Sequence, residues 1–160
     1  ARSAVPAGSR GDFMPQVTVC DAAFADVYAA MHKACFAKAW NESMMRQTLL
    51  MPGALGLIAF ENETPAGFLI DAYSVDQADI VTLGVMPAFR GKKIGDLLLE
   101  TSFDRLKQNG VADLFLEVAV NNPHAIELYR RHDFKQVGKR PNYYTRGDEK
   151  IDALVMKRAL

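Results

Sequence analysis

The spacing of apolar residues along the chain alternates between a period of two, typical of strands, and a period near 3.6, typical of helices. Residues 16–20 alternate like a short strand, and the apolar positions that follow Asp21 share one helical face. Asn41 marks the start of a second short helix. No repeat, low-complexity run or internal linker breaks the pattern, so we predict a single α/β domain over residues 14–160.

The second half of the chain continues this alternation. Apolar runs at 54–60 and 66–72 flank a polar segment typical of a hairpin, and a third strand is predicted over 79–86. Residues 91–109 predict the longest helix, with Gly110 as its stop. A buried strand over 114–120, a helix over 123–131 capped by Asn122, and closing strands over 134–138 and 151–157 complete the prediction.

Composition narrows the classes of partner. The chain has 160 residues, of which 49% are hydrophobic, enough for one continuous core. Lys plus Arg and Asp plus Glu both number 19, so no overall field attracts nucleic acid or an anionic membrane. The longest apolar run, residues 54–60, is far below the roughly 20 residues that cross a bilayer. We therefore expect a soluble protein that binds neither nucleic acid nor membrane.

The cysteines and the first residues bear on location. Cys20 and Cys35 form no CxxC pair and have no metal-ligand spacing. This excludes a disulfide framework and a zinc site, and it favours a reducing, cytoplasmic setting without a bound metal. The small and polar residues 1–13 predict a mobile tail or an expression remnant rather than a secretory signal.

The segment 83–96 joins a predicted strand to the longest helix and brings glycine, cations and a helix N-terminus together. The first N–H groups of a helix lack internal partners, so a phosphate fits there, and Arg90, Lys92 and Lys93 add positive charge. The segment contains neither the GxxxxGK[ST] nor the GxGxxG pattern. From these residues alone, two interpretations of the segment are equally possible: a binding site for an anion, or a basic helix start that is simply exposed to solvent.

Two spaced blocks of the chain carry a resemblance to a known family. LxVxPxxRxxxxG begins at Leu83, and LEVxxxNxxAxxLYxxxxF begins at Leu116. Together they resemble the GCN5-related N-acetyltransferases (GNAT), which transfer acetyl from acetyl-CoA to an amine. The stretch Asn142-Tyr143-Tyr144, followed by residues 152–156, is most similar to the bacterial type that acetylates the N-terminal alanine of a small-subunit ribosomal protein.

The resemblance implies a fold and a set of site residues. The expected fold is a mixed, mostly antiparallel, splayed sheet of about six to seven strands with about four helices. In the family, the backbone of Leu83 and Val85 pairs with the pantetheine arm, and amides near Val85 stabilise the oxyanion. The remaining residues implied for acetyl-CoA are Arg90, Gly91, Lys92, Lys93, Gly95, Asp96 and Asn122, and those implied for the acceptor are Trp40, Glu42, Tyr143 and Tyr144, of which at most one tyrosine faces the substrate.

Two residues are candidates for the proton transfers. Strand alternation places Glu117 between Phe115 and Ala119 on one face. A carboxyl that is buried away from cations resists ionisation, which suits a general base, whereas an edge-facing glutamate would be a plain surface residue. From its sequence context alone, Tyr129 is expected to pack in the core. The resemblance implies instead that it protonates the leaving thiolate of CoA.

Three positions need separate attention. Lys93 stands where the family usually has glycine, and its amide keeps its place if its φ is negative. Asp133 replaces a glycine before Phe134, and aspartate tolerates the left-handed conformation that this helix end requires. Gly84 marks either a close approach of the cofactor to the strand or a packing requirement.

Other chemistry and other functions stay as alternatives. His32 and Cys35 are close enough on a helix to touch, but Cys35 continues the apolar stripe, which favours a packed thiol. His124 and His132 have no acidic partner at a diagnostic spacing and are expected at the surface. Our leading hypothesis is an N-alpha-acetyltransferase of a ribosomal protein N-terminus, acting as a monomer or weak homodimer. The alternatives are acetylation of a small amine (polyamine, amino acid or aminoglycoside) and a non-catalytic acetyl-CoA-binding module.

Overall fold

A computed structural model describes residues 15–160, and the predicted tail over 1–13 lies outside that range. The described chain forms seven strands and four α-helices, as predicted. In chain order these are β1 (Gln16–Val19), α1 (Ala25–Cys35), α2 (Glu42–Leu50), β2 (Ala54–Glu61), β3 (Thr64–Ser74), β4 (Gln77–Val85), α3 (Ile94–Gln108), β5 (Asp113–Ala119), α4 (Pro123–Arg131), β6 (Lys135–Arg146) and β7 (Glu149–Ala159). Within residues 15–160, no helix is long and apolar enough to span a membrane.

All seven strands join one sheet in the order β1-β2-β3-β4-β5-β7-β6. Neighbouring strands are antiparallel except for β4 and β5, which run parallel. The connection between the parallel strands is α3, because a parallel pair needs a long crossover. The mixed, mostly antiparallel sheet predicted above is confirmed.

Side-chain caps fix the starts of the short helices. Asn41 accepts a hydrogen bond from the Met44 N–H at 2.8 Å, and Asn122 accepts one from the Ala125 N–H at 3.3 Å. Both predicted helix starts are therefore confirmed. Asp21 caps a single 3-10 turn, Ala22–Phe24, which then leads into α1.

The sheet separates two hydrophobic cores. On one face, α3 and α4 cover residues such as Leu69, Leu114 and Leu116, and on the other face α1 and α2 cover Ile58 and Phe68. In β5 the buried residues alternate with partly exposed ones, which follows from the period of two in a strand. Glu117 therefore points to the face opposite to α3 and α4.

The parallel pair β4–β5 separates soon after it begins. Its register covers only Gln77, Ala78 and Asp79 of β4, opposite Asp113, Leu114 and Phe115 of β5. A bulge shifts the pairing of β4 with β3 next to Ile70 and Asp71, and such a bulge bends and twists its strand. Beyond Asp79 the two strands diverge, and this fork is the central feature of the fold.

The closing strands are longer than predicted. The structure extends β6 to Arg146 rather than residue 138, so Tyr143 and Tyr144 lie inside this strand instead of between two strands. The register of β6 shifts between Arg140 and Tyr144, where Asn142 has a φ of +56°. This polar, bulged segment lacks the alternation of apolar residues that would have indicated a strand.

A buried acid links the sheet to α3. Asp71 on β3 is fully buried, and the Ser102 hydroxyl of α3 donates to its Oδ2 at 2.6 Å. The other carboxylate oxygen, Oδ1, has no hydrogen-bond partner among the described residues. Burial raises the pKa of Asp71 to about 7, although the Ser102 bond lowers it.

We expect Asp71→Asn to stabilise the protein increasingly as the pH rises. An acid whose pKa is raised by folding binds its proton more tightly in the native state, so its stabilising contribution is lost as the pH increases through the native pKa. The free energy of unfolding of the variant, minus that of the wild type, should grow by about 1–3 kcal/mol between about pH 5 and about pH 8.

Denaturant unfolding at several pH values measures this difference. Asp104→Asn, an exposed substitution on α3, is the matched control and should show no such growth. Parallel pH dependences for wild type and Asp71→Asn would show that Asp71 does not titrate in this range.

Candidate active site

The N-terminal end of α3 forms one wall of a cleft of about 850 Å³, here called the loop cleft. The first intrahelical bond runs from the Leu97 N–H to the Lys93 carbonyl at 3.1 Å, so the N–H groups of residues 94–96 have no partner within the helix. The other walls come from the end of β4 and from α4. Among the predicted residues, the cleft is lined by Leu83, Val85, Arg90, Gly91, Lys93, Gly95, Asp96 and Asn122.

The backbone of Lys93 differs from our expectation. Its φ is +63°, not negative, so the lysine occupies the left-handed conformation that the family's glycine would take without strain. Gly91 is also left-handed, with a φ of +77°. Asp133, at the end of α4, has a φ of +65°, which agrees with the expectation that aspartate makes this turn.

The cations of the loop have separate surroundings. Arg90 lines the loop cleft, and its Nε donates to the Val85 carbonyl at 3.2 Å. The Cys35 thiol donates to the same carbonyl at 3.4 Å. Lys92 is not among the residues that line the cleft, and its Nζ lies 5.6 Å from the centre of the Phe89 ring. The structure therefore does not bring Lys92 to the cleft wall, and its contact with acetyl-CoA stays a prediction.

Two glycines serve packing. A Cβ on Gly84 would lie 2.7 Å from the Phe68 ring and 3.2 Å from the Cys35 sulfur, so the core requires glycine there. Of the two explanations for Gly84, the packing requirement therefore accounts for this residue. A Cβ on Gly95 would lie 3.1 Å from Leu128 of α4, which explains how α3 and α4 approach each other closely.

Asp96 connects α3 with the end of α4. Its Oδ1 lies 2.7 Å from His132 Nε2 and accepts a bond from Arg131 at 2.8 Å. Burial alone would raise the pKa of Asp96, but the bonds from His132 and Arg131 outweigh it and lower the pKa. His132 is mostly buried, so our expectation of a surface histidine without an acidic partner is wrong. The partner lies 36 residues away, beyond the reach of local spacing.

A second cleft, of about 560 Å³, opens where β4 and β5 diverge and is here called the fork cleft. It is bounded by residues 80–83 of β4, residues 116–119 of β5, the segment after α1 and the β6–β7 hairpin. The loop cleft and the fork cleft meet, because four residues line both of them. These are Phe36, Leu83, Asn122 and Ala125.

Glu117 lies in the fork cleft with a cation beside it. Its Oε1 accepts a hydrogen bond from Arg140 Nη1 at 2.7 Å, and its side chain is 26% exposed. Its other oxygen, Oε2, is buried and has no partner among the described residues. The premise of burial away from cations is therefore wrong. No spacing in the sequence connects Arg140 to Glu117, since they are 23 residues apart on β6 and β5.

Two tyrosines line the fork cleft near Glu117. Tyr129 of α4 is buried, and burial, with a smaller effect of Tyr144, raises its pKa. The Tyr144 hydroxyl donates to the Glu117 backbone carbonyl at 3.3 Å. Tyr143 does not line the cleft, and its ring packs 4.2 Å from the Arg140 guanidinium. One of the two neighbouring tyrosines thus faces the cleft, as strand alternation predicts.

His32 orders the segment that closes the other side of the fork cleft. The Trp40 N–H donates to His32 Nδ1 at 3.1 Å, and the two rings stack with centres 4.9 Å apart. Nδ1 therefore carries no proton, and Nε2 donates to the Thr82 hydroxyl at 3.3 Å. Burial lowers the pKa of His32. A His32–Cys35 dyad does not form, because both ring nitrogens have other partners.

Trp40 and Glu42 have different positions. Trp40 lines the fork cleft. Glu42 does not, and it forms an exposed ion pair with Arg46 one turn further along α2 at 3.0 Å. Glu42 thus lies in the first turn of its helix, where a carboxylate is favourable.

Chemically, the two clefts offer complementary groups at one junction. The loop cleft presents backbone N–H groups and Arg90, which suit an anion such as a phosphate. The fork cleft presents a carboxylate, Glu117, and a phenol, Tyr129, which carries its proton near neutral pH. No group of three or more His, Cys, Asp or Glu side chains that could hold a metal occurs within residues 15–160.

Comparisons with known proteins agree on one family. Residues 25–134 match the acetyltransferase (GNAT) family. The [ribosomal protein bS18]-alanine N-acetyltransferase of Escherichia coli K12 is 36% identical over 96 residues, which cover 60% of this chain and 65% of that protein, slightly under two thirds of its length. The protein of the same name from Salmonella typhimurium is 34% identical over 102 residues, which cover 64% of this chain and 69% of that protein.

Solved structures show the same fold. The ribosomal-protein-S18-alanine N-acetyltransferase of Escherichia coli superposes with a TM-score of 0.86 and 27% identity, covering 91% of this chain and 94% of that one. Arabidopsis thaliana NAA60, solved in complex with acetyl-CoA, has a TM-score of 0.80 at 16% identity, covering 92% and 99% of the two chains. The latter likeness concerns the fold alone.

We expect Lys93→Gly to stabilise the protein. Glycine adopts a positive φ without the steric cost that a Cβ brings, and this gain exceeds the extra entropy that glycine has in the unfolded chain, for a net of about 0.5–1 kcal/mol. Lys92→Gly is the control, since Lys92 is not among the left-handed residues described, and it should destabilise by about 0.5–1 kcal/mol. Thermal melting compares the two, and shifts of the same sign would contradict the strain at Lys93.

Proposed function

The chain belongs to the acetyltransferase (GNAT) family, and we propose that it is an N-acetyltransferase that transfers acetyl from acetyl-CoA to the N-terminal amine of a protein. The observation that carries the proposal is the junction of the two clefts at the fork, together with Glu117 and Tyr129 in the lining of the fork cleft. The loop cleft takes acetyl-CoA in this proposal, and the fork cleft takes the acceptor.

The loop cleft fits a pyrophosphate. It is lined by Arg90 and by the first residues of α3, Ile94, Gly95 and Asp96. A guanidinium and the unpaired N–H groups of a helix start bind phosphate oxygens through hydrogen bonds. Beyond Asp79, β4 has no strand partner on the side of β5 among the described residues. The backbone of Leu83 and the Val85 N–H are then available to pair with the extended pantetheine arm, whereas Arg90 and Cys35 bind the Val85 carbonyl. Amides near Val85 serve the oxyanion in this proposal.

The fork cleft fits an amine that loses a proton. The amine nitrogen attacks the thioester carbonyl carbon, the carbon–sulfur bond breaks, and CoA leaves as a thiolate. Glu117 takes the proton of the amine through a water molecule, and the Tyr129 hydroxyl gives a proton to the thiolate. A phenol carries its proton at neutral pH, so the Tyr129 hydroxyl can donate a hydrogen bond to the sulfur as the thiolate forms. Burial raises the pKa of Tyr129, which makes it a weaker acid, so the proposed role rests on its position in the fork cleft.

The proposed acceptor is an α-amine, and specifically the N-terminal alanine of a ribosomal protein. An α-amine has a pKa of about 7.7–8.0, so much of it is neutral near physiological pH, whereas a lysine side chain near 10.4 is almost fully charged. The Escherichia coli and Salmonella typhimurium relatives are named for bS18 alanine acetylation. Trp40 and Tyr144 are the aromatic walls of the proposed peptide slot.

We expect the protein to acetylate a synthetic peptide with a free N-terminal alanine and an internal lysine. Mass spectrometry should find one acetyl group on the α-amine. The same peptide with a blocked N-terminus is the control and should stay unmodified, because only its lysine amine remains. Preferential turnover of spermidine, a free amino acid or an aminoglycoside would support the small-amine alternative instead, and no release of free CoA with any amine would leave only a binding module.

We expect Glu117→Gln and Tyr129→Phe to impair different proton transfers, each lowering turnover about 10²- to 10⁴-fold. Glu117→Gln should remove or shift the acidic limb of the pH–rate profile while acetyl-CoA binding is preserved. Tyr129→Phe should be partly rescued by an acyl thioester whose thiol is more acidic, since that thiolate leaves without a proton.

Direct binding of acetyl-CoA and cooperative melting are the controls for both variants. Wild-type turnover in two well-folded variants would mean that neither residue transfers a proton and that proximity of the substrates is sufficient.

A further inference from the structure

Arg140, on β6, is the residue that the structure adds to the proposed active site. We propose that Arg140 is a positioning residue: it binds one oxygen of the Glu117 carboxylate and so leaves the other, Oε2, directed toward the acceptor amine. This inference rests on the proposed function, because it concerns the acceptor side of the same reaction.

The two oxygens of Glu117 have unequal surroundings. Oε1 is bound to Arg140 Nη1 at 2.7 Å, whereas Oε2 is buried without a partner among the described residues. A buried carboxylate oxygen that lacks a hydrogen bond is costly. An N–H of the acceptor amine, or a water bound to it, would satisfy Oε2. Because Arg140 occupies Oε1, the amine has a single oxygen to approach.

Arg140 is itself held in place. Its guanidinium lies 4.2 Å from the centre of the Tyr143 ring, and planar guanidinium groups stack favourably on aromatic rings. Asp152, on the neighbouring strand, accepts a bond from the Asn142 N–H at 2.9 Å and pairs with Lys139 at 3.2 Å. These contacts fix the bulged segment of β6 that follows Arg140.

The other ionisable groups near Glu117 do not replace this cation. Tyr144, beside Arg140, binds the backbone carbonyl of Glu117 and not its carboxylate. Asp79 of β4 is an acid whose pKa is raised by burial and by the Glu117 charge. Tyr129 of α4 is a neutral phenol. Within the described residues, Arg140 is therefore the cation that contacts this carboxylate.

The decisive experiment measures kcat/KM for an alanine peptide against pH. With Arg140→Ala we expect a loss of about 10- to 100-fold at neutral pH, the size of one charge-assisted hydrogen bond. We also expect the acidic limb to move to higher pH, since a carboxylate without a neighbouring cation is protonated more easily. Methylguanidinium in solution should restore part of the activity. A purely structural role of Arg140 would produce neither the shift nor the rescue.

Three variants sharpen the test. Arg140→Lys keeps a positive charge without the planar fork and should fall between wild type and Arg140→Ala. In a Glu117→Gln background, Arg140→Ala should add less than about a threefold loss, because Arg140 acts through Glu117. Arg105→Ala, an exposed substitution on α3, is the matched control and should behave as the wild type. Cooperative melting and acetyl-CoA affinity check that each variant is folded.

The outcomes distinguish a failure of the proposed function from a failure of the role proposed for Arg140. If the wild type acetylates no N-terminal amine, the proposed function fails. If the wild type is active but Arg140→Ala keeps the wild-type acidic limb, gains nothing from methylguanidinium, or loses the same factor with and without Glu117, the role of Arg140 alone is overturned. If Arg140→Ala does not fold, the pH–rate profile of Arg140→Lys is the test instead. A profile and a kcat/KM equal to those of the wild type would then show that the planar guanidinium of Arg140 has no positioning role.

Discussion

The separation of β4 from β5 is the constraint on which the rest of the molecule depends. Strand backbones carry hydrogen-bonding groups that are costly to bury without partners, yet these strands pair at only three positions before they diverge. The bulge beside Asp71 turns β4 away and leaves a gap between two strands that are otherwise central in the sheet. A ligand that supplies backbone-like partners can complete this edge, as the pantetheine arm does in our proposal.

The same fork explains why the helices begin where they do. α3 follows β4 and α4 follows β5, so both helices start at the carboxyl ends of the two parallel strands. This end of a parallel pair is where ligands bind in open α/β sheets. Two residues with a left-handed backbone conformation lie next to these helices: Lys93 precedes α3, and Asp133 follows α4. Strain at such positions persists when the surrounding packing determines the backbone, and here Gly95 against Leu128 brings the two helices together.

The sequence predicted the local features well and the long-range ones poorly. Alternation of apolar residues and the caps at Asn41 and Asn122 were sufficient for the strands of the core and the helix starts, since these signals act within a few residues. The length of β6 was missed because its bulged, polar course has no period. The Asp96–His132 and Glu117–Arg140 contacts were missed because they join elements 36 and 23 residues apart. Tyr129 and Glu117 were candidates only through the resemblance and strand alternation, and the sequence alone contained no sign of their unequal partners.

The pairing of Glu117 with a cation also limits which amines suit the proposed site. The Arg140 guanidinium binds Oε1 of Glu117, so Oε2 is the oxygen left for the amine. An α-amine near pKa 8 needs no stronger base, because a large fraction is already neutral, whereas a lysine amine near 10.4 costs about 3 kcal/mol more to deprotonate. In our proposal, the buried Oε2 therefore gives the neutral amine of a protein N-terminus a defined position from which to attack.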